Sequence, residues 1–171
     1  LGGQWLFGWE KSLPEAFEWT ELQAHLPQRF SVPARWEGKA HPLKQGERLG
    51  RYGFATYALR VLLAPYERER HLEFIALMMA ARVGVHRIDG AGGMRSVFQN
   101  AGTFTTGTDE PSTNNAYRRL RFSIPASTQP SELILTIELS NHATSFLSAG
   151  VFGRPKLYDS NDEYQARIRR W

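Results

Sequence analysis

Apolar and polar residues alternate with a period of two through most of this chain, which predicts a strand-rich fold. The stretch "GRYGFATYALRVLL", residues 50–63, puts Tyr57, Leu59, Val61 and Leu63 on one face and Thr56, Ala58, Arg60 and Leu62 on the other. Gly50 and Gly53 shape the chain just ahead of it. "HLEFIALMM" sets Leu72, Phe74, Ala76 and Met78 against Glu73, Ile75, Leu77 and Met79, predicting a strand covered on both faces. "ARVGVHRIDG" alternates Val83, Val85 and Arg87 with Arg82, His86 and Ile88, then stops at Asp89-Gly90, a dipeptide that accepts positive φ in turns. "LRFSIP" alternates Leu120, Phe122 and Ile124 before Pro125, and "ELILTIELSN" aligns Leu133, Leu135, Ile137 and Leu139. "VFGRPKLYD" predicts a short final strand.

Between these runs the pattern changes. Residues 90–117 are Gly, Thr, Asn and Ser with isolated aromatics, and they read as a long loop with short ordered pieces, where function often gathers. Two helices are expected. "SLPEAFEWTELQAHL" has Ser12 as N-cap and Pro14 in its first turn, and "SNDEYQARIRR" has Ser160 and Glu163 at capping-box spacing, opened by acids and closed by arginines. Strands separated by turns, without regular strand–helix alternation or an internal repeat, predict an antiparallel β-sandwich rather than an α/β fold.

Composition removes several function classes. At 171 residues the chain is long enough for one domain with a real core. Hydrophobic content of 42% against 22% charged residues is that of a globular protein and excludes a disordered tail. No apolar run reaches the roughly 18 residues of a membrane span. The absence of cysteine excludes disulfides, thiolate catalysis and Cys-ligated zinc, and it fits cytoplasm and bacterial periplasm equally. A net charge of +4 invites nucleic acid, but the arginines are interleaved with acids, as in "YERERHLE", and form no basic block. The abrupt start at Leu1 and end at Trp171 suggest a piece of something larger.

Five segments, "GGQWLFGWEKSL", "SVPARWEG", "GRYGFATYALRVLL", "RIDGAG" and "LILTIELSNH", occur in that order. Together they resemble the galactose-binding-like jelly-roll extracytoplasmic domain of bacterial membrane signalling proteins. Within that group the chain resembles the domain of seven-transmembrane receptors with diverse intracellular signalling modules, and of related histidine kinases and diguanylate cyclases. The resemblance implies a jelly roll over residues 1–158, with 159–171 a helix leading towards a membrane segment. It further implies a non-catalytic sensor on the periplasmic face of the inner membrane, binding a carbohydrate or other small polar ligand. The family's frequent Arg after the Tyr is Ala58 here, which moves attention to Arg60, and its "V-N-G" turn reads Ile88-Asp89-Gly90. Glycoside hydrolases carry related jelly rolls as accessory domains, so an accessory carbohydrate-binding module and a docking or homodimerisation domain stand as alternatives.

Candidate ligand residues are Trp36, Arg51, Arg60, His86, Asn114 and His142. Trp36, between Arg35 and Glu37, either offers a flat face for a sugar ring or anchors the core, as Trp5 and Trp9 are expected to do. Arg60 either meets a carboxylate or sugar hydroxyl on an open concave face or lies in solvent. Tyr57 is expected in the core with its hydroxyl on one partner. No histidine pair has zinc-motif spacing, and His86 with Asp89 is a weak metal signal. Asp109, Glu110 and Asn114 are loop oxygens of the kind that hold structural calcium, but neither a metal nor another cofactor is assigned. No acid pair has a glycosidase setting, "GTFTTG" and "GAGG" lack the features of a phosphate loop, and Ser148 lacks a nucleophile elbow. No catalytic residue is named.

Overall fold

The computed structural model describes residues 1–77, 80–88, 94–100, 118–142, 150–151 and 153–159. In chain order the elements are β1 (Gly3–Trp9), α1 (Trp19–His25), β2 (Gln28–Val32), β3 (Ala34–Arg35), β4 (Gly53–Leu63) and β5 (Arg70–Leu77). They continue with β6 (Ala80–Ile88), β7 (Met94–Asn100), β8 (Arg118–Ile124), β9 (Ser131–Asn141), β10 (Gly150–Val151) and β11 (Lys156–Tyr158). A six-stranded antiparallel sheet runs β2-β1-β4-β9-β6-β7, and a three-stranded one runs β11-β5-β8. The short pair β10-β3 completes the strand pairing. This is an antiparallel jelly-roll β-sandwich, the sandwich as the alternation predicts and the jelly roll as the resemblance implies.

The centre of the large sheet is the longest pairing. β4 and β9 run together from Gly53 opposite Asn141 to Leu63 opposite Ser131, and β6 flanks β9 on its other side. Because opposed residues share a face, the register places Tyr57 beside Ile137 and Val83 on the inner face. There they join Trp5, Phe7 and Trp9 of β1, with Leu72, Phe74, Phe122 and Ile124 of the small sheet, in one core. Gly53, at φ +140°, is where β4 passes under Trp9, and a Cβ there would lie 2.5 Å from the indole. Both the dihedral and the space require glycine.

Three expectations change. The first helix starts at Trp19 rather than near Ser12, because Glu18 and Glu21 form the capping box, with the Glu18 N–H donating to Glu21 Oε2 at 3.0 Å. Residues 10–17 instead cross the outer face of the large sheet as an extended strap. The 90–117 stretch contains a full strand, β7, which pairs with β6. Its polar composition hid a strand whose order comes from that pairing. The Tyr57 hydroxyl is buried with no hydrogen-bond partner among the described residues. Burial pushes its pKa up and keeps it neutral. The predicted C-terminal helix, Asp109, Glu110, Asn114 and Ser148 lie outside the described residues.

Candidate functional site

The outer face of the large sheet carries a row of polar residues at successive register positions. Thr56, Glu138 and Arg82 form one level, and Ala58, Thr136 and Gly84 the next. Arg60, Ile134 and His86 form the third, and Leu62, Glu132 and Ile88 the last. The strap covers the first two levels and the His86–Ile134 part of the third. The Leu13 N–H donates to Glu138 Oε1 at 2.7 Å, Arg82 Nε donates to Glu138 Oε2, and the Thr56 hydroxyl donates to the Lys11 carbonyl at 2.5 Å. Glu138 is only 2% exposed, so these bonds replace the water that a carboxylate normally needs.

His86 lies under the same strap. Its Nε2 is 3.2 Å from the Thr136 hydroxyl, and its ring meets Phe17 edge-on at 5.2 Å between centroids. Burial lowers its pKa, and the nearby Glu138 charge opposes that shift. Gly84 makes this contact feasible: a Cβ there would lie 2.5 Å from both His86 Nε2 and the Thr136 hydroxyl. A small apolar cluster of Leu6, Phe17, Leu22, Leu26, Ala58 and Ile134 seals the strap and α1 to the sheet. His86 is therefore closed to ligand in this arrangement. Arg60 lies where the cover ends, 44% exposed, and is bridged to Glu132 at 2.5 Å.

Three other sequence candidates meet at the end of the sandwich where β4 begins and β9 finishes. Trp36 is fully buried, edge-on to Trp9 at 5.2 Å, so it forms the floor there and offers no sugar-stacking face. It is an anchor because the chain before β4 folds over it. Its indole Nε1 donates to the Arg51 carbonyl at 3.5 Å, and Asn141 Nδ2 donates to the same oxygen at 3.2 Å. The Arg51 guanidinium pairs with Glu37 at 3.1 Å, and His142 is tilted against Phe54. Tyr52, 51% exposed, supplies the open aromatic face that Trp36 does not. Arg60 is seven residues along β4 from Gly53, roughly 23 Å away. Five of the six candidates thus divide between two places, and Asn114 lies outside the described residues.

Among the described residues no three of His, Cys, Asp and Glu are grouped closely enough to hold a metal. By fold, the chain is similar to a glycosyl hydrolase family 2 member from Bacteroides cellulosilyticus, with a TM-score of 0.56 and 14% identity. That match covers 91% of this chain and 20% of the hydrolase. The fold is galactose-binding-like. A family 2 β-galacturonidase from Eisenbergiella tayi matches at TM-score 0.46 and 16% identity, over 91% of this chain and 22% of that one. A β-glucuronidase from Faecalibacterium prausnitzii matches at 0.47 and 19%, over 84% and 21%. The chain spans about a fifth of the length of each. No protein-family model matches it, and no curated protein matches it by sequence.

Sequence reasoning missed Thr56, Arg82, Thr136 and Glu138. The one signal was Glu138, an acid inside an otherwise apolar alternation, and only the register shows that Arg82 stands opposite it.

Proposed function

We propose that this chain is the non-catalytic jelly-roll module of a larger carbohydrate-processing protein, recognising a sugar at the Arg51 end of the sandwich. The observation that carries this reading is the likeness at TM-score 0.56 over 91% of this chain, against only 20% of the glycosyl hydrolase. The chemistry of that end suits the reading. Tyr52 presents an exposed ring for a sugar face, and the Arg51–Glu37 pair supplies donors and acceptors for hydroxyls. A glycan array followed by titration calorimetry tests it. A bound oligosaccharide whose affinity drops about tenfold or more in Tyr52→Ala is the expected result. No glycan binding, or binding indifferent to both Tyr52→Ala and Glu37→Gln, would overturn it.

A second reading is the extracytoplasmic sensor domain of a bacterial membrane signalling protein, in which ligand binding shifts a two-state equilibrium passed to the membrane. The ordered segments from "GGQWLFGWEKSL" to "LILTIELSNH" favour it. The gene sequence around this chain separates the two: a catalytic barrel supports the accessory module, whereas membrane helices with a signalling module support the sensor.

A further inference from the structure

At the end of the sandwich opposite Arg51, where β6 and β8 finish and β9 begins, a cleft opens between the sheets. Val85, Phe122, Ile124 and Leu133 are its buried apolar walls, and Arg87 and Ser123 stand at its mouth. The cleft and its open mouth hold about 280 Å³ of empty space, the innermost part fitting one water-sized group. Arg87 is there because of strand parity. Val83, Val85 and Arg87 follow one another on the inner face of β6, and Arg87, opposite Leu133, is the last of the row. It is half-buried and has no hydrogen-bond or ion-pair partner among the described residues.

Two further polar groups at this end are unmet. The Tyr66 and Ser131 side chains are 6% and 8% exposed, and their hydroxyls have no partner among the described residues. Ser131 precedes Leu133 by two positions on the same face of β9, and Tyr66 is bridged to Ser127, just beyond the Pro125 that also borders the cleft. A half-buried guanidinium is normally satisfied, so Arg87 at the lip of this apolar cleft points to a ligand.

We infer that this cleft binds a small organic carboxylate with an apolar tail. The carboxylate takes the Arg87 fork in a bidentate pair, and the tail lies between Val85, Phe122, Ile124 and Leu133. The innermost part admits only one water-sized group, so the end of the tail enters it and the rest lies along the open mouth. A sugar is a poor occupant, because the walls give its hydroxyls no partners. The inference therefore stands apart from the carbohydrate reading.

The test is titration of the chain with acetate, butyrate, hexanoate and hexan-1-ol, followed by amide chemical shifts. Affinity is expected to rise from acetate to hexanoate, with the largest shifts at Arg87, Phe122 and Leu133 and little response to the alcohol. Arg87→Gln should weaken hexanoate about tenfold to a hundredfold. Arg60→Gln, on the other face of the sheet, should leave binding unchanged, and matching melting temperatures would show that both variants are folded. The inference is overturned by hexanoate binding no tighter than acetate, by equal binding to Arg87→Gln and the parent, or by no shift at the cleft up to about 10 mM, well above the affinity expected of so small a ligand. Sugar binding at the Arg51 end without carboxylate binding would remove this inference and leave the proposed function intact.

Discussion

The two faces of the large sheet are built by the same strands and held by different physics. On the inner face, Tyr57, Val83, Leu135 and Ile137 meet the small sheet in an almost wholly apolar core. On the outer face, Thr56, Arg82, Thr136, His86 and Glu138 are covered by a strap of the chain's own N-terminal part. Burial of apolar area is non-directional and tolerates small shifts. The outer face adds to its small apolar seal a few directional bonds, and the loss of any one exposes the cost of a buried polar group. The strap is thus the part of the fold most sensitive to single polar changes, and the inner core the part most sensitive to loss of volume.

Trp36→Ala attacks the inner face and carries the largest expected effect, about 3–5 kcal/mol of stability in chemical denaturation. A loss below about 1 kcal/mol would mean that Trp36 is not a core anchor. Glu138→Ala attacks the outer face, removing the acceptor of both the Leu13 amide and Arg82 Nε. It is expected to cost about 2–3 kcal/mol, short of a fully buried pair because Arg82 is 32% exposed. Amide exchange sharpens the comparison. The Leu13 amide should lose protection while those of β4 and β9 keep theirs, and an equal loss everywhere would show that strap and sandwich unfold as one unit.

The smallest effect is a pH dependence confined to the outer face. His86 has a folded-state pKa lowered by burial, so the unfolded chain takes up the proton first as pH falls. The stability contributed by neutral His86 is complete above its unfolded pKa of about 6.5 and is lost as pH falls from there through the folded value. His86→Gln should flatten the fall in denaturation midpoint just below that pH. Parallel profiles for the variant and the parent would assign the slope to other groups.

Much of the inner face was legible residue by residue. The alternation in "GRYGFATYALRVLL" and "ELILTIELSN" named Tyr57, Leu63, Leu133, Leu135, Ile137 and Leu139 as inward-facing, and they are buried together. The candidate sites were less legible. Trp36 was visible as an aromatic between charges, but local sequence does not say whether the chain folds over it. Ser12 and Pro14 signalled a helix start that lost to the Glu18–Glu21 box, because the Leu13 amide donates to Glu138, 125 residues away.

Alternation and composition were enough for the β-sandwich class, the strand faces and the absence of thiol chemistry, since each follows from local period or residue content. Everything about the sites waited for the register. It set Arg82 beside Glu138, closed His86 beneath Phe17, and brought Arg87 to the lip of an apolar cleft. Those outcomes join strands and loops far apart in the chain, and a period of two says which face a residue takes but not what covers that face.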